Sequence, residues 1–156
     1  GDPIAARKAV MKENSAQSRI ATEMIQGKRP FDLAAAKKVF ATFQEAASKM
    51  PALFPDNSKT GDTRALPVIW EKRADFNAAL AKLGADAKAA ADKVKDVDSL
   101  KAAMSDVGKN CGGCHNTYRK KESWSSTGGR GLSVLQQGGG WKRPAALRLF
   151  AATRRP

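Results

Sequence analysis

The chain has few of the residues that most often carry chemistry. It holds a single histidine, at position 115, and two cysteines, at 111 and 114. A structural zinc site wants four nitrogen or sulfur ligands, so that class of site is excluded. Runs of valine, isoleucine and threonine are scarce, which leaves little from which to build a sheet. No apolar stretch approaches the roughly 20 residues needed to cross a bilayer, so no transmembrane segment is expected. Acids are missing from the last stretch: residues 123–156 hold six Lys or Arg and no Asp or Glu.

What is present points to helices. At 156 residues the chain suits one well-packed domain. Alanine, lysine and leucine recur throughout, the composition of helical proteins. The formal charge is +13, with 22 Lys and Arg against all 15 acids over residues 1–122. Over that span the two signs are interspersed, as on solvated helix faces. No basic stripe with interleaved aromatics accompanies the charge, so nucleic acid is not an expected partner.

Four amphipathic stretches are legible. Asp2 is a good N-cap and Pro3 suits the first helical position, where a missing N–H costs nothing. Ile4, Arg7, Met11, Asn14, Ser18, Ala21 and Ile25 then recur at three- and four-residue steps, and Gly27 marks the end. Arg7, Met11 and Asn14 are not an ordinary hydrocarbon seam. Asp32 caps a second helix with the seam Leu33, Ala36, Phe40, Phe43, Ala47 and Met50, closed by Pro51 and Pro55. Residues 55–66 are polar and turn-rich, a surface loop. A third helix is expected from about Pro67 to about Val94, with Ile69, Trp70, Phe76, Leu80 and Leu83 on one face. Asp98 is expected to cap a fourth, carrying Leu100, Ala103, Met104, Val107, Cys111, Cys114 and Tyr118 along one side. Short connections and no strands predict an all-α, antiparallel up-and-down four-helix bundle over 1–122. Residues 123–156 read as a Gly/Ser-rich basic tail. It is expected to be flexible, with 144–155 able to form a short basic helix.

The chemistry is concentrated in Cys111-Gly112-Gly113-Cys114-His115, a C-x-x-C-H pattern that attaches c-type haem. On a helix, residues three apart share one face about 4.5 Å apart along the axis, so both thiols can reach the two vinyl groups of one porphyrin. The adjacent imidazole then reaches the iron as its proximal ligand, and the two glycines let the flat macrocycle come close to the backbone. A bare C-x-x-C can also be a thioredoxin-like pair, but that motif sits at a βα junction, and no βαβ pattern exists here. One covalently attached haem c is the expected cofactor.

Cys111-Gly-Gly-Cys-His115 followed by Asn116-Thr117-Tyr118-Arg119, closing a helical bundle, resembles the class II c-type cytochromes. These comprise the cytochromes c-prime and their low-spin relatives of the c556 type. The similarity extends to Arg7-x-x-x-Met11, to Gly27-x-x-Pro30-Phe31-Asp32 and to Pro67-x-x-Trp70, and covers about residues 1–121. It implies that position 11 lies over the distal face of the haem. In low-spin members a methionine there completes six-coordination; high-spin members more often carry a bulky apolar group, and some carry an unbound methionine. Leu53-Phe54-Pro55 through Thr63-Arg64 and Pro67 look closer to the low-spin branch.

The resemblance also implies that Arg119 sits near the proximal imidazole. Arg7, one turn before Met11, is expected to pair with a haem propionate, the plainer alternative being an exposed helix arginine. Met24, Met50 and Met104 are expected to fill core space, and Trp70 and Tyr118 to be core aromatics. The haem-binding residues expected are thus Cys111, Cys114, His115, Met11, Arg7 and Arg119, with His115 and Met11 on the iron. A soluble periplasmic electron-transfer protein follows, secreted with a leader later removed, turning over no substrate, and monomeric or homodimeric. Its basic surface would steer redox partners, acidic ones fitting best. The alternative is a five-coordinate protein that binds nitric oxide or carbon monoxide.

Overall fold

A computed structural model of the chain describes residues 1–121. The expected tail over 123–156, with its linker and basic helix, lies outside the described residues. The first helix, α1, spans Pro3–Ile25 and begins as its sequence demands: Asp2 Oδ1 accepts the Ile4 N–H at 2.8 Å. Gly27 follows its end with φ 70°, a left-handed turn that glycine adopts without strain. The second helix, α2, spans Leu33–Lys49, with Asp32 Oδ1 accepting the Ala35 N–H at 2.9 Å. Two single 3₁₀ turns, Met50–Leu53 and Asp56–Ser58, open the connection that follows. Helices α3 (Val68–Glu71), α4 (Arg73–Lys93) and α5 (Val97–Tyr118) complete the order.

The long helices α1, α2, α4 and α5 form the antiparallel four-helix bundle. Helix α2 packs against α1 and α4, and α5 against α4 and α1. No strand occurs among the described residues; the nearest thing to one is an antiparallel bridge between Ala65 and Arg119.

Three local expectations are corrected. The third helix is not continuous: Lys72, at φ −117° and ψ 52°, separates α3 from α4. The break has a physical cause, because the side chains on either side of it are tied to the preceding loop. Trp70 Nε1 donates to Phe54 O at 2.9 Å and Arg73 Nη2 donates to the same oxygen at 2.5 Å. The cap of the last helix is Asp96, not Asp98. Asp96 Oδ1 accepts the Ser99 N–H at 2.8 Å while Ser99 Oγ accepts the Asp96 N–H at 3.0 Å, a reciprocal pair that satisfies two otherwise orphaned donors. Asp98 instead lies in the first turn, where its charge suits the helix dipole. Leu33, assigned to the α2 seam, is exposed.

The interior divides into two clusters. One, built on Met24, Val39, Phe40, Leu100 and Val107, fills the bundle between its helices. The other joins Met50, Phe54, Ile69, Phe76, Leu80 and Tyr118, and draws the connecting loop and α3 against α4 and α5. Edge-to-face pairs run through it from Trp70 to Phe54, Phe76 and Tyr118, with ring centroids 5.9, 4.9 and 5.1 Å apart. Met104 packs against the first cluster and Trp70 against the second. The three methionines other than Met11 are thus packing residues, as expected.

Candidate functional site

The last two turns of α5 carry the C-x-x-C-H segment at the seam between the clusters. Cys111 packs against the first and Cys114 against the second, so one helical turn reaches both halves of the interior. The two thiols are free and half-buried. Burial pushes both above the usual thiol range, Cys114 being raised further by Cys111, so both are neutral S–H groups. A Cβ added at Gly112 or Gly113 would meet no atom within 4 Å. The chain itself therefore does not demand glycine at either position, and the space beside this turn is open for a flat group.

Cys114, His115, Tyr118 and Arg119 line one side of a cleft of about 320 Å³. Met11 and Arg7 of α1 line it as well, together with Phe54 and Asp62–Ala65 of the loop and the apolar Met50, Ile69, Phe76 and Leu80. The bundle thereby brings Met11 and His115, 104 positions apart in sequence, onto one largely hydrocarbon cavity. His115 is held below the usual imidazole range, first by burial and then by the positive charges of Arg119 and Arg64. Its ring is neutral near pH 7, with a nitrogen lone pair available to a metal.

The segment before α3 is what carries Arg64 to this place. Leu66 N–H donates to Tyr118 O at 2.9 Å and Lys120 N–H donates to Arg64 O at 2.8 Å, closing the short bridge between 64–66 and 118–120. Arg119 is exposed, and its N–H caps α5 on His115 O at 3.2 Å.

Arg7 is not an exposed helix arginine; it is 5% exposed. Both its terminal nitrogens donate to the loop: Nη1 to Leu53 O (3.1 Å) and Ser58 Oγ (2.9 Å), Nη2 to Ser58 O (3.1 Å) and Thr63 Oγ1 (2.6 Å). Its guanidinium also lies 4.5 Å from the centre of the Phe54 ring. Cys111 alone of the expected residues does not line the cleft; its thiol points back along α5, 3.7 Å from Val107 O. Sequence reasoning missed Ser58 and Thr63, because a serine and a threonine in a polar loop read as solvated. It also missed Asn110, beside Cys111, whose Nδ2 donates to Asp86 Oδ2 of α4 at 2.7 Å and so fixes the start of the motif.

A family model described as cytochrome C′ matches residues 2–119. The chain belongs to the cytochrome c′ family. It is 45% identical over 123 residues to a cytochrome c′ of Rhodopseudomonas palustris, covering 78% of this chain and 84% of that one. To a cytochrome c-556 of the same organism it is 37% identical over 118 residues, covering 72% and 79% respectively. Among solved structures, cytochrome c′ of R. palustris superposes with a TM-score of 0.75 at 44% identity, covering 79% of this chain and 99% of its own. A model of oxidised R. palustris cytochrome c556, validated by NMR, gives 0.73 at 35% identity, covering 78% and 98%.

Members of the cytochrome c′ family are monohaem electron carriers, and covalently attached haem c is the cofactor, with Cys111 and Cys114 in the attachment motif. The residues present fit that group. An apolar cleft, two free neutral thiols one turn apart, open space beside the intervening glycines and an uncharged imidazole are together what a thioether-bound macrocycle needs. No helix among the described residues is long and apolar enough to cross a membrane.

Proposed function

We propose that this protein carries single electrons in the periplasm through a low-spin haem, attached at Cys111 and Cys114 and ligated by His115 and Met11. The observation that carries this reading is the cleft itself, which the Met11 thioether and the neutral His115 imidazole share from two different helices. A thioether is a soft, neutral ligand that favours the ferrous state. Iron supplies the one-electron chemistry; the chain supplies ligands and surroundings. Met50, Ile69, Phe76 and Leu80 keep one wall of the cleft apolar, burial and then the charges of Arg119 and Arg64 keep His115 unprotonated, and Asn110 anchors the attachment turn to α4. Arg7 lines the cleft, where its charge would balance a haem carboxylate while its terminal nitrogens bond the loop, and Arg119 lines it on the His115 side. Acidic redox proteins are the partners that a chain of charge +13 would attract.

A second reading, an open five-coordinate haem that binds nitric oxide or carbon monoxide, is favoured by one finding: identity to the R. palustris cytochrome c′ exceeds that to its cytochrome c-556. Redox potentiometry on the Met11→Ala holoprotein separates the two. Under the proposal the potential falls and the ferric spin state switches from low to high. If both stay as in the parent, Met11 is not on the iron and the second reading replaces the first.

A further inference from the structure

Arg7 presents an energetic problem. A buried guanidinium is costly unless its charge is paired and its donors are satisfied, yet the acid that most favours its charge is Asp2 at the helix start, and burial still pulls its pKa below the usual value. The four donors of its terminal nitrogens are met by the loop. Leu53, Ser58 and Thr63 accept four hydrogen bonds from its two terminal nitrogens, and Phe54 stacks beneath it. One side chain of α1 thus holds the connection after α2 at its beginning, its middle and its end. A planar fork is needed for this; an ammonium group has neither the spread nor the rigidity.

The loop so held is a wall of the cleft. Phe54, Asp62, Thr63 and Ala65 line it, and the residue that fixes them stands one turn before Met11 on the same helix. The other ties on the loop are those of Trp70 and Arg73, which both reach Phe54 O, and a solvent-exposed ion pair from Lys8 to Asp62; the buried bonds at residues 58 and 63 are Arg7's. Ser58, 1% exposed, is the midpoint of the clasp and does not line the cleft.

We propose that Arg7 is a positioning residue that clasps the 53–63 loop over the Met11 end of the cleft, and so limits how readily a small molecule reaches the iron there. This rests on the reading of the cleft as the haem site. It holds whether Met11 binds the iron or only faces it, because the loop shields that end in either case.

The test is the rate of carbon monoxide binding to the ferrous holoprotein, by stopped flow, with thermal midpoints recorded beside it. Four proteins are compared: the parent, Arg7→Lys, Ser58→Ala and Lys59→Ala. Arg7→Lys keeps the charge and loses the fork, and is expected to bind the gas roughly tenfold faster or more, the size of effect seen when a residue supporting a metal site is removed. Ser58→Ala removes an acceptor of the clasp outside the cleft and is expected to accelerate binding by a smaller factor. Lys59, paired outward with Asp56, is expected to leave the rate unchanged on substitution.

Rates in Ser58→Ala equal to the parent's would overturn the proposal, whether or not its midpoint falls. If Arg7→Lys alone changed, Arg7 would be acting through its contact with the haem and not through the loop. Should Arg7→Lys fail to fold, Ser58→Ala, which retains the guanidinium, decides the matter alone. A high-spin parent spectrum would sink ligation by Met11 while leaving these ratios to judge the clasp.

Discussion

Single residues settle most of the chemistry. Cys111, Cys114 and His115 are legible from sequence because their relation is local: three- and four-residue spacing on a helix fixes which side chains share a face. The place of Met11 on the cleft is legible for a weaker reason, a polar and soft seam where hydrocarbon is expected. Ser58 and Thr63 are not legible at all, since the partner that gives them a role lies about 50 residues earlier in the chain. Arg7 is half legible. Its position on the buried seam is in the periodicity, but its acceptors are not. Arg119 yields a prediction of its own. A cation beside His115 destabilises the more positive ferric state, so Arg119→Gln should lower the reduction potential. An exposed charge a few ångströms away interacts by about 1 kcal/mol, or roughly 40 mV for one electron. Potentiometry with an unchanged optical spectrum is the expected outcome; an unchanged potential would mean that solvent screens Arg119 from the iron.

At the scale of elements, boundaries are legible in sequence where one side chain decides them and illegible where two compete. Asp2, Asp32 and Gly27 each stand alone at an end and each does what its chemistry suggests. Before α5 two aspartates are two residues apart, and only the reciprocal bond with Ser99 selects Asp96. Asp96→Ala should therefore destabilise the holoprotein by about 1 kcal/mol, lowering the thermal midpoint by roughly 3–5 °C for a domain of this size. Asp98→Ala removes only a favourable charge near the helix start and should cost a few tenths of that. Equal losses in the two variants would contradict the assignment. The break at Lys72 was illegible for another reason: the apolar pattern of Ile69, Trp70, Phe76 and Leu80 continues across it. The bonds of Trp70 and Arg73 to Phe54 O, which separate α3 from α4, are tertiary.

At the scale of the whole bundle, the first and last of the described helices are brought together. The four-helix architecture followed from periodicity and short connections, whereas the division of the core into two clusters did not, because it depends on how α3 and the loop fold back on α4. That division places the attachment turn at the boundary of the clusters and opens the cleft beside it. The excess of positive charge belongs to this scale as well. If acidic proteins are the partners, their electron-transfer rate with this chain should fall steeply as ionic strength rises from about 0.01 to 0.15 M, as screening shortens from roughly 30 to 8 Å. A rate flat across that range would remove charge from the account of recognition.

The account turns on an iron closed on both sides, by His115 from α5 and by Met11 from α1. The most direct measurement is the optical spectrum of the ferrous holoprotein before and after exposure to carbon monoxide. Sharp, split low-spin bands before the gas is added, which it converts only slowly to those of a carbonyl complex, are the predicted result. A broad high-spin spectrum that shifts at once to that of a carbonyl complex would contradict it.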